Sequence, residues 1–309
     1  MNAADRPASR LPLKQLLLVG GAAATAYAVA LLVSGDGPGA TLQRLWSLAG
    51  LQAAALCILN YLLRGLRWRL WMAHYGRPLG LLQGLRLYLA GYTFTPTPGN
   101  IGEAARGLLL ARNPLSTAQS LAIFGAERLA DLLCLLLMGL PVLGWLLQLG
   151  GARVAWSLVL VAGLAGLLVL ALMFKFRGLL LPRVAWLHDA WRCLATRPLQ
   201  WLGLTLLAWA AQGLAVWLLC REAGLPLGVL QAAGFYAVAM VGGALSLLPA
   251  GLGGTEALLA GLLVSQGASA ALALGITVQV RVVTLWLAVA IGALALVYSA
   301  AIRHEISFR

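Results

Sequence analysis

Residues Pro96-Thr97-Pro98-Gly99-Asn100-Ile101-Gly102-Glu103 break an apolar segment with two prolines, two glycines and a carboxylate. Proline removes a backbone donor and glycine lets the chain turn, so no continuous helix passes through such a stretch. The chain repeats the pattern at Pro249-Ala250-Gly251-Leu252-Gly253-Gly254-Thr255-Glu256, 153 residues later. In both copies a Pro lies seven residues before the Glu, and an Arg inside an apolar run follows the Glu by 25 residues: Glu103 to Arg128, Glu256 to Arg281. This repeat points to two copies of one unit whose broken, charged segments meet.

The unit is a membrane one. The chain is 61% hydrophobic and only 10% Asp, Glu, Lys or Arg, against about 25% charged residues in a soluble domain. The net charge of +13 does not indicate nucleic acid, because the basic residues gather in short connections between apolar runs, as the positive-inside rule produces. Cys57, Cys134, Cys193 and Cys220 form no CxxC pair, and three lie in apolar runs; they read as small core residues. His74, His188 and His304 are scattered. No metal motif or cofactor motif emerges.

Taken in order, residues 1–13 are polar and basic. A first span covers 14–33; Ala28-Val29-Ala30 leaves a signal-peptide reading open, against which the apolar run continues past it. A second span is expected at 45–63, followed by a basic, Trp-rich interface with Arg64, Arg67, Arg69, Arg77 and Arg86. Residues 80–97 and a short helix at 101–112 flank the first break and make a re-entrant hairpin, each half being short of the roughly 20 residues a span needs. A long span at 116–147 carries Glu127, Arg128 and Asp131, and another covers 154–174. In the connection 175–198, Val184, Leu187, Trp191 and Leu194 recur near helical spacing, which suggests an interfacial helix; a solvated linker is the other reading. Spans at 199–220 and 272–300 enclose a second broken segment at 229–266.

With the N-terminus inside, cytoplasmic connections hold 16 basic residues and outer ones three, Arg44, Arg153 and Arg221; Arg106, Arg128 and Arg281 lie in the membrane. The expected fold is an all-α polytopic membrane protein forming a single transmembrane domain, 1–309. It is an inverted repeat, about 14–147 and 154–301, of three spans plus one re-entrant or broken hairpin per half, with 175–198 as a cytoplasmic interfacial linker. Both termini are cytoplasmic. Discontinuous helices meeting near the midplane of inverted repeats are a transporter architecture. Pro96, Pro98, Gly99 and Gly102 would shape one break, and Pro249, Gly251, Gly253 and Gly254 the other.

Ionised side chains at membrane depth cost about 3 kcal/mol each on insertion scales and mark function by default. The candidate substrate-binding set is Glu103, Arg106, Glu127, Arg128, Asp131, Glu256 and Arg281. Glu127 and Asp131 share a helix face, Arg128 reaches toward Glu103 or Glu256, and Glu103 pairs with Arg106 at i, i+3. Arg128 and Arg281 would hold a phosphate in bidentate geometry, with help from N–H groups at the short helices after Gly99 and Gly251. The alternative is that the charges only neutralise one another and fix the packing of the halves. Trp46, Trp145 and Trp156 read as interface anchors.

The ordered set Pro-Gly-x-x-Gly-Glu-x-x-Arg (Pro98 to Arg106), Glu127-Arg128-x-x-Asp131, Pro-x-Gly-x-Gly-Gly-x-Glu (Pro249 to Glu256) and a late Arg281 resembles the lysylphosphatidylglycerol synthase transmembrane-region family, over roughly 15–300. The resemblance implies a flippase-like protein of the bacterial cytoplasmic membrane whose partners are membrane lipids, with translocation rather than enzymatic chemistry as its activity. The chain ends at Arg309 without the aminoacyl-transferase domain of two-part members, so synthesis of lysyl-lipid is not implied. Two other readings stay open: an intramembrane lipid-modifying transferase with Glu127 and Asp131 as acid and base, and a membrane partner of a cell-envelope biosynthesis enzyme.

Overall fold

The computed structural model describes residues 43–107, 114–149, 185–246 and 248–301, together with Gly39 and Leu110. The spans expected at 14–33 and 154–174 lie outside the described residues, as does the first part of the 175–198 connection. Among the described residues every regular element is helical. We number the α-helices α1 (Leu48–His74), α2 (Leu81–Ala90), α3 (Thr117–Leu149), α4 (Ala185–Ala195), α5 (Pro198–Glu222), α6 (Val229–Leu245), α7 (Gly254–Val264), α8 (Ala270–Arg281) and α9 (Leu287–Ala301). Among the described residues three stretches are long and apolar enough to cross a membrane: α1, α5, and the run Ala270–Ser299 that joins α8 to α9.

Local chemistry sets the boundaries. Ser47 caps α1 by accepting the Gly50 N–H at 3.1 Å, and Ser269 caps α8 by accepting the Leu272 N–H at 3.2 Å. Pro198 begins α5, where its missing N–H has no intrahelical partner to lose. Between α8 and α9 the helix widens into a π turn, Val282–Trp286, directly after Arg281. The Tyr61 hydroxyl donates to the carbonyls of Val283 at 2.7 Å and Thr284 at 3.2 Å, so the carbonyls displaced there are satisfied.

Both breaks form as the sequence implies, but the first is not an α-helix. After α2 the chain tightens into 3₁₀ turns at Gly91–Phe94 and again at Pro98–Gly107, in place of the short helix expected at 101–112. The second break is a 3₁₀ turn at Pro249–Gly251 that leads into a true α-helix, α7. The two breaks contact each other. They also share a backbone device. Asn100 (φ 56°) and Gly253 (φ 85°) are 153 residues apart and both are left-handed. Asn tolerates that region better than most side chains, because its short polar group can bond locally.

The same shift relates the larger elements. Moved by 153 residues, α1 overlaps α5, α2 falls inside α6, and α3 overlays the run from α8 through α9. Helices α1 and α5 pack together along the centre, linked by the Asn60 side chain donating to the Ala208 carbonyl at 2.7 Å. Helix α6 packs on α3, where Gly234 lies against Val142 and the Met138 carbonyl. Helix α9 packs on α2 and the first 3₁₀ turn.

One sequence expectation is corrected here. The second span does not stop at residue 63. Helix α1 continues to His74, which places Arg64 and Arg67 inside the bundle and removes them from the cytoplasmic charge tally. In the 175–198 connection a helix forms at α4, and the face it packs on the protein is distinct from its apolar stripe. Ala190 and Cys193 are buried and Trp186 lies over Gly125 of α3, whereas Trp191 is 68% exposed. Packing on α3 sets the face, one position away from the apolar periodicity.

Gly292 of α9 tests this packing. A Cβ there would meet the Thr93 nitrogen at 2.7 Å and the Leu89 carbonyl oxygen at 2.9 Å, both backbone atoms that cannot rotate away. Gly203, also helical, has open space around it. Gly292→Ala is expected to lower unfolding stability in detergent by about 1–3 kcal/mol, as overpacking does. Gly203→Ala is expected to be neutral or to raise it by up to about 1 kcal/mol. Equal melting curves for the two variants would contradict the close approach of α9 to the first break.

Candidate functional site

Three elements bring seven ionised side chains together. Helix α3 supplies Glu127, Arg128 and Asp131; α1 supplies Arg64 and Arg67; the first break supplies Glu103 and Arg106. Asp131 is the hub. Its Oδ1 accepts from Arg67 Nη1 at 2.7 Å and from the Trp209 indole N–H at 3.2 Å. Its Oδ2 accepts from Arg64 Nη2 at 2.7 Å. Arg67 also donates to Thr205 Oγ1 at 2.9 Å and lies 4.0 Å from Glu127. Arg106 bridges the remaining acids: Nη1 donates to both Glu127 oxygens at 3.1 and 3.0 Å, and Nη2 donates to Glu103 Oε2. Glu103 Oε1 accepts from the Thr95 hydroxyl at 2.8 Å. N–O separations of 2.7–2.9 Å mark strong charge-assisted hydrogen bonds.

Backbone choices make room for this network. A Cβ on Gly91 would collide with the Arg106 side chain, which lies over the Tyr88 ring at 4.3 Å and near Tyr92 at 5.9 Å. The short residue at 91 therefore lets an arginine stem cross the first 3₁₀ turn, and the tyrosine faces attract its charge. Arg64 lies 5.6 Å from the Trp209 ring centre and Arg67 lies 5.4 Å from that of Trp71.

The second copy is simpler. Arg281 Nε donates to Glu256 Oε1 at 2.7 Å, and Nη2 donates to the Ala250 carbonyl at 2.8 Å. Glu256 Oε2 accepts the Gly253 N–H at 2.8 Å. That donor, expected from sequence to serve an anion, is engaged by the chain's own carboxylate. The 25-residue spacing is nevertheless a contact in both halves: Arg128 to Glu103 at 3.5 Å, and Arg281 to Glu256 at 2.7 Å.

Between the two groups lies a cavity of about 380 Å³. Its polar wall includes Arg64, Arg128, Arg281, Glu103, Asp131 and Gln212, with the aromatic rings of Tyr61, Tyr92, Trp209 and Tyr236. Its apolar wall includes Leu132 and Leu135 of α3, Met240 to Leu245 of α6, and Leu248. Leu132, Leu245 and Leu248 are 43%, 77% and 48% exposed, so this wall continues onto the outer surface of the bundle.

Of the residues singled out from sequence, Glu103, Arg128, Asp131, Arg281 and Gly251 line the cavity. Arg106 and Glu127 are buried, at 2% and 1% exposure, and do not line it. Glu256 holds Arg281 from one side. Arg128 reaches Glu103 rather than Glu256. Pro96 is buried at the first break, and Gly102 packs against Phe94 and Thr97. Arg64, Arg67, Thr95 and Trp209 were not singled out. A charge argument could have found the arginines. Glu103, Glu127 and Asp131 are three acids at membrane depth, and Arg106 with Arg128 supplies only two cations. A third cation was owed by some neighbouring segment, and Arg64 and Arg67, at i, i+3 beside an apolar run, are the nearest pair.

The family model described as lysylphosphatidylglycerol synthase TM region matches residues 17–292. The search of curated proteins returned no match.

The hub makes a sharp stability prediction. Asp131→Asn leaves Arg64 and Arg67 buried beside a neutral amide. Breaking one side of a buried ion pair costs about 3–5 kcal/mol. Asp131→Asn is expected to lower unfolding stability by that amount, and Arg128→Gln by far less. Retention of wild-type stability in Asp131→Asn would show that Asp131 is not the centre of the network.

Proposed function

The chain belongs to the lysylphosphatidylglycerol synthase TM-region family of membrane proteins, and we propose that it carries a phosphate-bearing lipid, a phospholipid or a polyprenyl-type lipid, across the bacterial cytoplasmic membrane. One observation supports this reading above the others. A single cavity joins a cluster of guanidiniums and carboxylates to a wall of leucines that runs out onto the outer surface. A polar headgroup fits the first and acyl or prenyl tails fit the second. The volume of about 380 Å³ is within the range of roughly 300–1,000 Å³ found for small-ligand sites.

In this proposal Arg128 and Arg281 engage the phosphate from opposite walls. Arginine suits the task because its planar fork matches phosphate oxygens. The two halves are oppositely oriented copies, and rocking of one against the other about the touching breaks exposes the cavity to each leaflet in turn. In this reading both termini are cytoplasmic, as the excess of basic residues in the connections on that side supports. The protein acts as a carrier rather than an enzyme. Glu127, one of the two acids a transferase would use, is held by Arg106 and does not line the cavity.

The test is transport in a defined bilayer. Purified protein is reconstituted, and labelled phospholipid or polyprenyl phosphate is followed between leaflets. Each lost charged hydrogen bond is worth about 1.5–3 kcal/mol, so the Arg128→Ala/Arg281→Ala double variant is expected to slow transfer at least about tenfold. Its melting curve serves as the folding control. Equal rates for a folded double variant and the wild type would remove the support for headgroup binding in this cavity.

A further inference from the structure

Arg128 differs from every other guanidinium in its cluster. Arg64, Arg67 and Arg106 each place a nitrogen within 3.0 Å of a carboxylate, and their side chains are no more than 10% exposed. Arg128 is 31% exposed and lines the cavity. Its Nη2 is divided between Glu103 at 3.5 Å and Asp131 at 3.4 Å, and among the described residues it makes no shorter contact to a carboxylate.

The acids do not need it. Glu103 Oε1 has the Thr95 hydroxyl and Oε2 has Arg106. Asp131 Oδ1 has Arg67 and Trp209, and Oδ2 has Arg64. Both Glu127 oxygens have Arg106. Every carboxylate oxygen in the cluster therefore has a closer donor than Arg128. The formal charges agree: four guanidiniums face three carboxylates among the described residues. On the opposite wall Arg281 is paired with Glu256. One positive charge is in surplus, and the side chain that carries it is the one turned to the cavity.

Resting on the carrier reading, we infer that the cavity selects lipids whose headgroup bears one net negative charge, with Arg128 as the specificity-determining residue that exchanges its two long contacts for the phosphate. A monoanionic phosphodiester neutralises the surplus. A phosphate oxygen at ordinary charge-assisted distance, about 2.7–2.9 Å, outcompetes contacts of 3.4 and 3.5 Å. A zwitterionic headgroup brings its own ammonium and leaves the surplus charge in place. A headgroup esterified with lysine is net positive and adds to it.

The experiment uses the full chain in proteoliposomes with three acyl-labelled probes: phosphatidylglycerol, phosphatidylethanolamine and lysyl-phosphatidylglycerol. Soluble glycerol 1-phosphate serves as competitor. The expected result is transfer and binding of phosphatidylglycerol about tenfold above the other two, as one charged contact would give. In Arg128→Gln the preference should fall to within about twofold while the melting temperature is kept, and Arg128→Lys should restore part of it. If all three lipids move equally in the wild type, or if the preference survives in folded Arg128→Gln, the charge-selection inference is overturned and lipid carriage stands. If no lipid moves or binds, the carrier reading fails and takes this inference with it. If glycerol 1-phosphate binds as tightly as the lipid, the ligand is a free phosphate ester and the lipid assignment is wrong. Should Arg128→Gln not fold, the wild-type ratios decide alone.

Discussion

The structure is organised around a debt of charge at membrane depth. Seven ionised groups at about 3 kcal/mol each on insertion scales would oppose insertion strongly if left separate. They are instead gathered on one hub, Asp131, whose oxygens take Arg64 and Arg67 at 2.7 Å. That gathering dictates much else. Helix α1 must extend far enough to present both arginines on one face. The chain at Gly91 must be thin enough for Arg106 to cross. The break after α2 must turn Glu103 inward rather than toward hydrocarbon. A buried network of this kind is weak as a source of stability but strong as a specifier of arrangement, because each partial disassembly strands a charge.

The sequence carried the breaks, the charged span and the twin Glu-to-Arg spacing, because each rests on residues that cannot hide. Prolines exclude a continuous helix, and carboxylates in apolar runs demand partners. The spacing is a contact in both copies, Glu103 with Arg128 and Glu256 with Arg281. What the sequence did not show is where long-range packing overrides local pattern. Arg64 and Arg67 looked like an interfacial cluster because a span was taken to end after about 20 residues; α1 runs for 27. The short helix expected after Gly99 became 3₁₀, where Gly102 packs closely on Phe94 and Thr97 and Arg106 turns back to Glu103 and Glu127.

The two breaks share a spacing and differ in their contacts. Asn100 and Gly253 occupy equivalent left-handed positions, and the same Glu and Arg follow each. Yet the second copy closes its pair tightly and ties Arg281 to the Ala250 carbonyl as well. Around the first break Arg106, Arg64 and Arg67 hold the carboxylates. Arg128, the positional twin of Arg281, is left at 3.4 and 3.5 Å.

That asymmetry bears on how such a cavity works. A guanidinium locked by short contacts must break them before it can meet a ligand, and the energy lost offsets the energy gained. One held at arm's length by two acids stays positioned, yet yields with little loss. Arg281 is thus suited to be a fixed wall that defines where a headgroup stops, and Arg128 to be the part that responds. A ligand that binds more tightly when Arg128 has let go of Glu103 and Asp131 favours whichever state of the bundle loosens those contacts, and a ligand can shift an equilibrium only through such a difference. Glu103 lies on the first break and Asp131 on α3, so a ligand that draws Arg128 away would act directly on the junction between a broken segment and a long helix.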